Sequence, residues 1–103
     1  TKVNEVEFRN WLEKKQVKKK VRGDLVSRLK RIEHELNHCD IDEHYKKDGC
    51  EHLLSVFKNK GENDVIRGYP NANLPISKYY MSTYSYSIRQ YIRFCEETMK
   101  DKR

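Results

Sequence analysis

The chain has 103 residues, of which 37% are charged and 36% hydrophobic, and its formal net charge is +6. This length corresponds to one domain, expected to span residues 1–103, and an aromatic content of 11% argues against disorder. No apolar run approaches the roughly 20 residues of a membrane span, and the start TKVNEVEF lacks the apolar segment of a signal peptide. We therefore expect a soluble, cytoplasmic domain without membrane contact, and the excess positive charge favours anionic partners.

Apolar residues recur at helical spacing in four segments. Almost no part of the chain shows the alternation of apolar and polar residues that is typical of a strand. The first segment begins near Asn4, a predicted N-cap, with Glu7 three residues later completing a capping box. Its apolar face contains Val6, Phe8, Trp11 and Leu12. The sequence therefore predicts a short first helix with an aromatic face.

The second segment gives the strongest helix signal in the chain. Its apolar residues recur every three or four positions, at Val17, Val21, Leu25, Val26, Leu29, Ile32 and Leu36. Glycine in a helix interior costs roughly 1 kcal/mol, so Gly23 predicts a break or a late start, with Asp24 as the N-cap.

The middle of the chain is more polar. The stretch NHCDIDEHYKKDG is expected to form a hinge with one helical turn. A compact third helix follows, is predicted to end near Gly61, and has an apolar face of Cys50, Leu53, Leu54 and Phe57. Residues 60–78 contain both prolines and three asparagines, which predicts one long loop before the last helix.

Ser82 or Thr83 is the predicted N-cap of the last helix. One stripe of this helix consists of Tyr84, Ile88, Tyr91, Ile92, Cys95 and Met99, whereas Arg89, Arg93, Glu96 and Glu97 lie largely off it. Together the four segments predict an all-α fold, a small four-helix bundle. The tail KDKR predicts a linker toward a further domain.

Basic residues are concentrated in one stretch of the sequence. Residues 14–31 contain nine Lys or Arg and one acid, whereas residues 33–64 contain nine acids and four Lys or Arg. Such a run is either a solvated helix face or a contact surface for a polyanion. A helix start does not favour cations, and guanidinium groups suit phosphates. We therefore predict nucleic-acid contacts by Lys18, Lys19, Lys20, Arg22, Arg28 and Arg31.

The last helix supplies a second candidate contact set. A helix that begins with small hydroxyl residues can present N–H and O–H groups to a phosphate. The alternative is that Tyr84 and Tyr91 are core residues and the serines are caps. The residues predicted to contact nucleic acid here are Ser85, Arg89 and Arg93.

Zinc binding and catalysis are the other functions to weigh. Residues 34–52 contain four histidines and two cysteines: His34, His38, Cys39, His44, Cys50 and His52. The usual zinc-binding Cys pair is absent, and the apolar face of the third helix explains Cys50. The three cysteines of the chain are typical of reduced intracellular thiols. Without a Gly-rich elbow, paired buried carboxylates or a phosphate-binding loop, the sequence predicts no metal, no cofactor and no enzymatic activity.

The order of three motifs resembles a known family. A first helix reading EFRNWLEKK, a basic turn into VRGDLVSRLKRIEHEL and a last helix reading YSYSIRQYIRFCEE are similar to the N-terminal SAM-like, or core-binding, domain of tyrosine recombinases and phage integrases. The run SRLKRIEHEL followed by DIDEHYKKDG also resembles N-terminal modules of bacterial restriction and defence nucleases. The resemblance covers the first, second and last helices.

The resemblance implies a SAM-like module that clamps duplex DNA and leaves the chemistry to a fused C-terminal catalytic domain. By position, Lys18, Lys19, Lys20, Arg22 and Arg28 would contact the DNA backbone, and Ser85, Arg89 and Arg93 would approach from the last helix. Two features depart from the family. The loop at residues 60–78 is longer, and the recombinase catalytic domain is absent, so none of the seven tyrosines is assigned as a nucleophile.

A second function remains open from the sequence. The chain could be a protein-interaction or oligomerisation bundle that does not bind nucleic acid. Its contact surface would then consist of Tyr79, Tyr80, Tyr86 and the loop at residues 60–78.

Overall fold

The computed structural model describes residues 4–36, 39–58, 64–69 and 78–99. Within these ranges the chain forms helices and no strand, which confirms the predicted all-α class. Six helices are present there: α1 Glu5–Lys14, α2 Lys19–Glu35, α3 Ile41–Asp48, α4 Glu51–Ser55, α5 Asp64–Arg67 and α6 Lys78–Met99. None of these helices has the length and apolarity that crossing a membrane demands.

Three helices form the frame of the fold. α2 packs against both α1 and α6, and α1 packs against α6. The backbone N–H of Asn4 donates to Tyr91 Oη. Farther along both helices, Trp11 Nε1 donates to Glu97 Oε1, so α1 and α6 run in the same direction. A short turn joins α1 to α2, and Lys30 near the end of α2 pairs with Glu5 at the start of α1, so α2 runs back along α1.

Aromatic side chains join α1 to α6. The ring of Phe8 lies 5.0 Å from that of Tyr91 and 5.4 Å from that of Phe94, between centroids, in edge-to-face arrangements. Trp11 lies 6.0 Å from Phe94. Such pairs contribute about 0.5–1.5 kcal/mol each beyond the area they bury. The apolar face predicted for the first helix is confirmed at the buried residues Phe8, Trp11 and Leu12, but Val6, predicted for the same face, is 70% exposed. α2 adds the buried side chains of Leu25, Val26, Leu29 and Ile32.

α2 differs from its prediction at its start. It begins at Lys19, with Lys18 at the N-cap, and the Arg22 N–H donates to the Lys18 carbonyl at 2.9 Å. Helical hydrogen bonding therefore starts before Gly23, and the predicted break at this residue with Asp24 as the N-cap is wrong. Val21, predicted for the apolar stripe, is 39% exposed because it lies at the edge of the packed face.

α1 begins without the predicted capping box. Asn4 occupies the N-cap position, but its side chain makes no capping hydrogen bond. Its backbone N–H is instead bonded to the buried hydroxyl of Tyr91, at 2.8 Å. A tertiary contact therefore satisfies the group that a local cap was predicted to serve.

The predicted hinge contains the two-turn helix α3 rather than a single turn. The Asp40 side chain caps the start of α3 by accepting the Asp42 N–H at 3.0 Å. Gly49, at φ 67°, ends the helix in the left-handed conformation that glycine adopts without strain. Ile41 and Tyr45 are the buried residues of α3, which packs against α4.

Two further boundaries differ from the prediction. The third predicted helix, α4, ends at Ser55, and Gly61 lies outside the described residues. The predicted loop at 60–78 contains α5, and the remaining loop positions 60–63 and 70–77 lie outside the described part of the chain.

α6 begins at Lys78, so Ser82 and Thr83 lie inside the helix and do not cap it. Hydroxyl residues are tolerated here because they can bond the preceding turn, as Ser87 Oγ does to the Thr83 carbonyl at 3.1 Å. The predicted apolar stripe is confirmed at the buried residues Tyr84, Ile88, Tyr91 and Cys95. Ile92 is partly buried, and the side chain of Met99 is not among those that the structure describes.

Candidate nucleic-acid interface

The turn between α1 and α2 has a defined backbone conformation. Gln16 adopts a left-handed conformation at φ 64°, and its N–H donates to the Glu13 carbonyl at 2.9 Å. The Val17 N–H reaches back to the Leu12 carbonyl at 3.0 Å. These bonds close the end of α1 as in a Schellman motif, which satisfies its last carbonyl groups. The chain therefore enters α2 from a hydrogen-bonded turn.

Arg22 stabilises this turn from within α2. Its Nη1 donates to the Val17 carbonyl at 2.7 Å, and the residue is half-buried. The sequence predicted Arg22 as a phosphate contact but did not indicate this bond. The structure therefore gives Arg22 a positioning contact inside the chain, in addition to any N–H groups that face outward.

Five lysines lie within residues 14–20, which we call the basic turn: Lys14, Lys15, Lys18, Lys19 and Lys20. All five are exposed. The first turn of α2 contains no acid, and Lys18 at the N-cap provides no side-chain cap. The positive end of the helix dipole and the lysine charges therefore add to each other at this surface.

The basic surface continues along α2. Lys20, Ser27 and Arg31 are exposed and lie seven and four residues apart, on the same helix face. Arg28 is half-buried at the edge of that face. Lys30, in contrast, is paired with Glu5 of α1 at 2.9 Å. The hydrogen bonds from Lys30 and then Arg9 lower the pKa of Glu5 below its usual value.

α6 separates its predicted contact residues onto two sides. Arg89 and Arg93 are exposed, as expected for residues off the apolar stripe. Ser85 is only 9% exposed, because its position turns it toward the packed side of the helix. The structure therefore does not support Ser85 as a surface contact for a phosphate. Tyr86, predicted from the sequence only for a protein-interaction surface, is 50% exposed. Its three-residue spacing from Arg89 is the signal that places both on one helix face.

A polar cluster joins the basic turn to the end of α6. Glu97 Oε1 accepts hydrogen bonds from Trp11 Nε1 and from Lys15 Nζ, both at 3.0 Å. The Lys15 ammonium also lies over the Trp11 ring, 5.6 Å from its centroid. The hydrogen bond from Trp11 is the largest cause that lowers the pKa of Glu97, and the hydrogen bond from Lys15 is the next. Because Arg93 lies one turn before Glu97, the basic turn and Arg93 lie at the same end of the bundle.

The described histidines and thiols of the middle region do not form a common cluster. His44 and His52 stack with ring centroids 6.2 Å apart, and burial lowers the pKa of His44. Cys50 Sγ is 3.8 Å from the Ile41 carbonyl, and burial raises the pKa of the Cys50 thiol to about 12. Within residues 4–36, 39–58, 64–69 and 78–99, no group of three or more His, Cys, Asp or Glu side chains could hold a metal ion. His38, a candidate ligand in the sequence, lies outside the described residues.

Comparisons of the chain with protein-family models, with curated proteins and with solved structures found no match. The resemblance to recombinase and nuclease N-terminal modules therefore stays a prediction.

Proposed function

We propose that this chain is a non-catalytic DNA-binding module that holds duplex DNA mainly through its phosphates. In this proposal it serves an integrase-like, recombinase-like or restriction-nuclease-like protein whose chemistry belongs to a fused catalytic domain. The observation that carries the proposal is the basic turn, where all five lysines are exposed beside an uncapped helix start. Phosphates are the ligands that such a surface attracts most strongly.

The energetics of α2 support this proposal. Lysines at a helix start are disfavoured by the helix dipole, and an uncapped start forgoes about 1 kcal/mol that Ser, Thr, Asp or Asn would provide. A bound phosphate would reverse both effects by neutralising the charge and accepting the first N–H groups. A surface that destabilises the isolated fold is common at binding sites.

The roles differ among the predicted residues. Lys18, Lys19 and Lys20 contact phosphates directly, and Arg22 positions the basic turn through its bond to Val17. The exposed Arg31 and the half-buried Arg28 extend the contact along α2. On α6, the exposed Arg89 and Arg93 approach the same duplex from the end shared with the basic turn.

The test is a binding titration with a fluorescent random-sequence duplex between about 50 and about 200 mM salt. The double variant Lys19→Ala/Lys20→Ala should bind all sequences more weakly and lower the slope of log affinity against log salt by about two. Lys46→Ala/Lys47→Ala is the matched control, because these lysines are also adjacent, exposed and helical. The control variant should retain the salt slope of the original protein.

Three outcomes would contradict the proposal. The first is no binding at about 50 mM salt, where phosphate contacts are strong, and the second is binding that does not respond to salt. The third is an equal loss in both double variants, which would show that net charge alone, and not the basic turn, determines binding.

Exposed apolar side chains favour a second candidate, a protein-interaction bundle. Val6 on α1 is 70% exposed, and Tyr86 on α6 is 50% exposed. Tyr79 and Tyr80, also predicted for such a surface, have side chains outside the described part of the chain. Sedimentation without DNA distinguishes the two functions. Concentration-dependent association that Val6→Ser abolishes would favour the interaction bundle, whereas a monomer at all concentrations would favour the DNA-binding module.

A further inference from the structure

The outward face of α6 combines an aromatic ring with two guanidinium groups. Tyr86, Arg89 and Arg93 are exposed and lie three and four residues apart, so they form one stripe along the helix. The other tyrosines described on this helix, Tyr84 and Tyr91, are buried on the opposite face. Tyr86 is therefore not needed to fill the core.

The composition of this stripe indicates the chemistry of a ligand. Aromatic rings beside cations are what proteins use to stack a nucleic-acid base while pairing the adjacent phosphates. Arg93 lies seven residues after Tyr86, so the stripe covers about 10 Å of helix. In a duplex the faces of the bases are covered by their neighbours, so a side chain on a rigid helix can stack only on a base that is unpaired or displaced.

The stripe is continuous with the basic turn. Arg93 lies one helical turn before Glu97, and the carboxylate of Glu97 is paired with Lys15 of that turn at 3.0 Å. This pairing offsets the negative charge that would otherwise separate Arg93 from the lysines. A nucleic-acid strand that passes from Arg93 toward the end of α6 therefore reaches the lysines of the basic turn.

We propose that Tyr86, Arg89 and Arg93 form a site for single-stranded DNA, in which Tyr86 stacks on an unpaired base and the two arginines pair with phosphates. This inference rests on the proposed DNA-binding function and deepens it. It transfers Arg89 and Arg93 from the duplex to a strand with unpaired bases, while the basic turn continues to hold the duplex. Charge complementarity selects nucleic acid over an apolar partner for this face.

The test compares a single-stranded oligodeoxythymidine with a blunt-ended, fully paired duplex, by fluorescence anisotropy at fixed salt. Tyr86→Ala should weaken binding of the single strand about tenfold and leave binding of the duplex within about twofold. Tyr86→Phe keeps the ring and should bind the single strand like the original protein. Because Tyr86 is half-exposed, neither change removes a core side chain, and circular dichroism verifies the fold of each variant.

The possible failures are distinguishable. Equal losses on both DNAs, or no loss on either, would overturn the stacking site while leaving duplex binding by the basic turn in place. A loss in Tyr86→Phe as large as in Tyr86→Ala would also overturn it, because the hydroxyl and not the ring would then make the contact. If the original protein bound neither DNA at low salt, the proposed function itself would fail, and this inference with it.

Discussion

Gln16 adopts a left-handed backbone conformation, at φ 64°, where α1 turns toward α2. For a residue with a Cβ this conformation costs roughly 1 kcal/mol, and glycine is the usual residue at this position of a helix end. We expect Gln16→Gly to raise the free energy of unfolding by about 0.5–1 kcal/mol. Urea denaturation followed by circular dichroism measures the change.

Two variants serve as controls for this prediction. Gln16→Ala also shortens the side chain but keeps the Cβ, so it should not increase stability. Cys50 has a similarly left-handed φ of 67°, but it is fully buried, so Cys50→Gly should lower stability by removing core contacts. A gain in Gln16→Ala equal to that in Gln16→Gly would show that backbone strain is not the cause.

Tyr91 connects three parts of the chain through its buried hydroxyl. It accepts the Asn4 N–H at 2.8 Å and donates to Asp42 Oδ1 at 2.6 Å. Burial raises the pKa of Tyr91, so the hydroxyl remains a donor. Burial also raises the pKa of Asp42 above its ordinary value of 3.8, although the Tyr91 bond opposes this shift.

This network predicts a pH dependence with a defined sign. Because the folded state holds the Asp42 proton more tightly than the unfolded state, the contribution of Asp42 to stability is complete below pH 3.8 and declines as the pH rises through its folded pKa. We expect the stability difference between the original protein and Asp42→Asn to fall as the pH rises in that range. Urea unfolding of both proteins at a series of pH values measures it.

Glu5 has the opposite effect, because its lowered pKa makes stability fall with acidification. Both proteins contain Glu5, so its contribution cancels when the stability of one is subtracted from that of the other. A difference that rises with pH would show that the hydrogen bond from Tyr91 outweighs burial at Asp42. Tyr91→Phe is a complementary variant. Its free energy of unfolding should be lower by about 1–3 kcal/mol, because the Asn4 N–H and the Asp42 carboxylate lose the hydroxyl that they share.

At the scale of the element, the proposed function predicts that lysines at the start of α2 favour DNA binding and lower the stability of the fold. Lys18 has the extended backbone of an N-cap, φ −62° and ψ 148°, but no capping side chain. Lys18→Ser should therefore stabilise the protein by about 1 kcal/mol, and it should weaken DNA binding by removing one phosphate contact. Urea denaturation and the salt-dependent titration on the same preparation measure both effects.

Lys46→Ser is the matched control for this prediction. Lys46 is exposed in the last turn of α3, where the helix dipole favours a cation, so its replacement should lower stability slightly and leave DNA binding unchanged. If Lys18→Ser were more stable and still bound DNA with the original salt slope, the start of α2 would not belong to the interface.

The helices were predictable to different degrees, for physical reasons. α2 and α6 were recognisable because long amphipathic helices repeat their apolar residues with the period of the helix itself. α3 was underestimated because its sequence is polar and part of its stability comes from another helix. The buried Glu33 of α2 accepts the Ile41 N–H at 3.1 Å at the start of α3. Such a contact has no signature in the local spacing.

At the scale of the whole molecule, two buried thiols report on global unfolding. Cys50 and Cys95 are fully buried, and burial raises the pKa of each thiol to about 12. Thiolates are the reactive form, so both residues should resist alkylation in the folded protein. We expect Cys39, which is half-buried, to be modified first. Mass spectrometry of the protein after timed exposure to iodoacetamide measures the order.

Added urea should bring the labelling of Cys50 and Cys95 to a common rate, because one cooperative transition exposes both. The fully denatured protein, in which all three cysteines react alike, is the reference. Rapid labelling of Cys95 alone under native conditions would show that α6 opens separately from the rest of the fold.

The candidate site was only partly predictable. Exposure of Lys18, Lys19, Lys20, Arg89 and Arg93 followed from charge and helical spacing, which are local properties. Burial of Ser85 did not, because hydroxyl residues occur on either face of a helix. The bond from Arg22 to the Val17 carbonyl depends on the backbone path of a turn, which the residue types alone do not specify.

The sequence by itself determined the all-α class, the apolar faces of the long helices and the concentration of basic charge near the first turn. These properties depend on neighbours a few residues apart, so they can be counted along the chain. Only the tertiary structure decided that Lys15 meets Glu97 and that Asn4 meets Tyr91. These partners lie more than eighty residues apart, and their contact depends on how three helices pack rather than on any local preference.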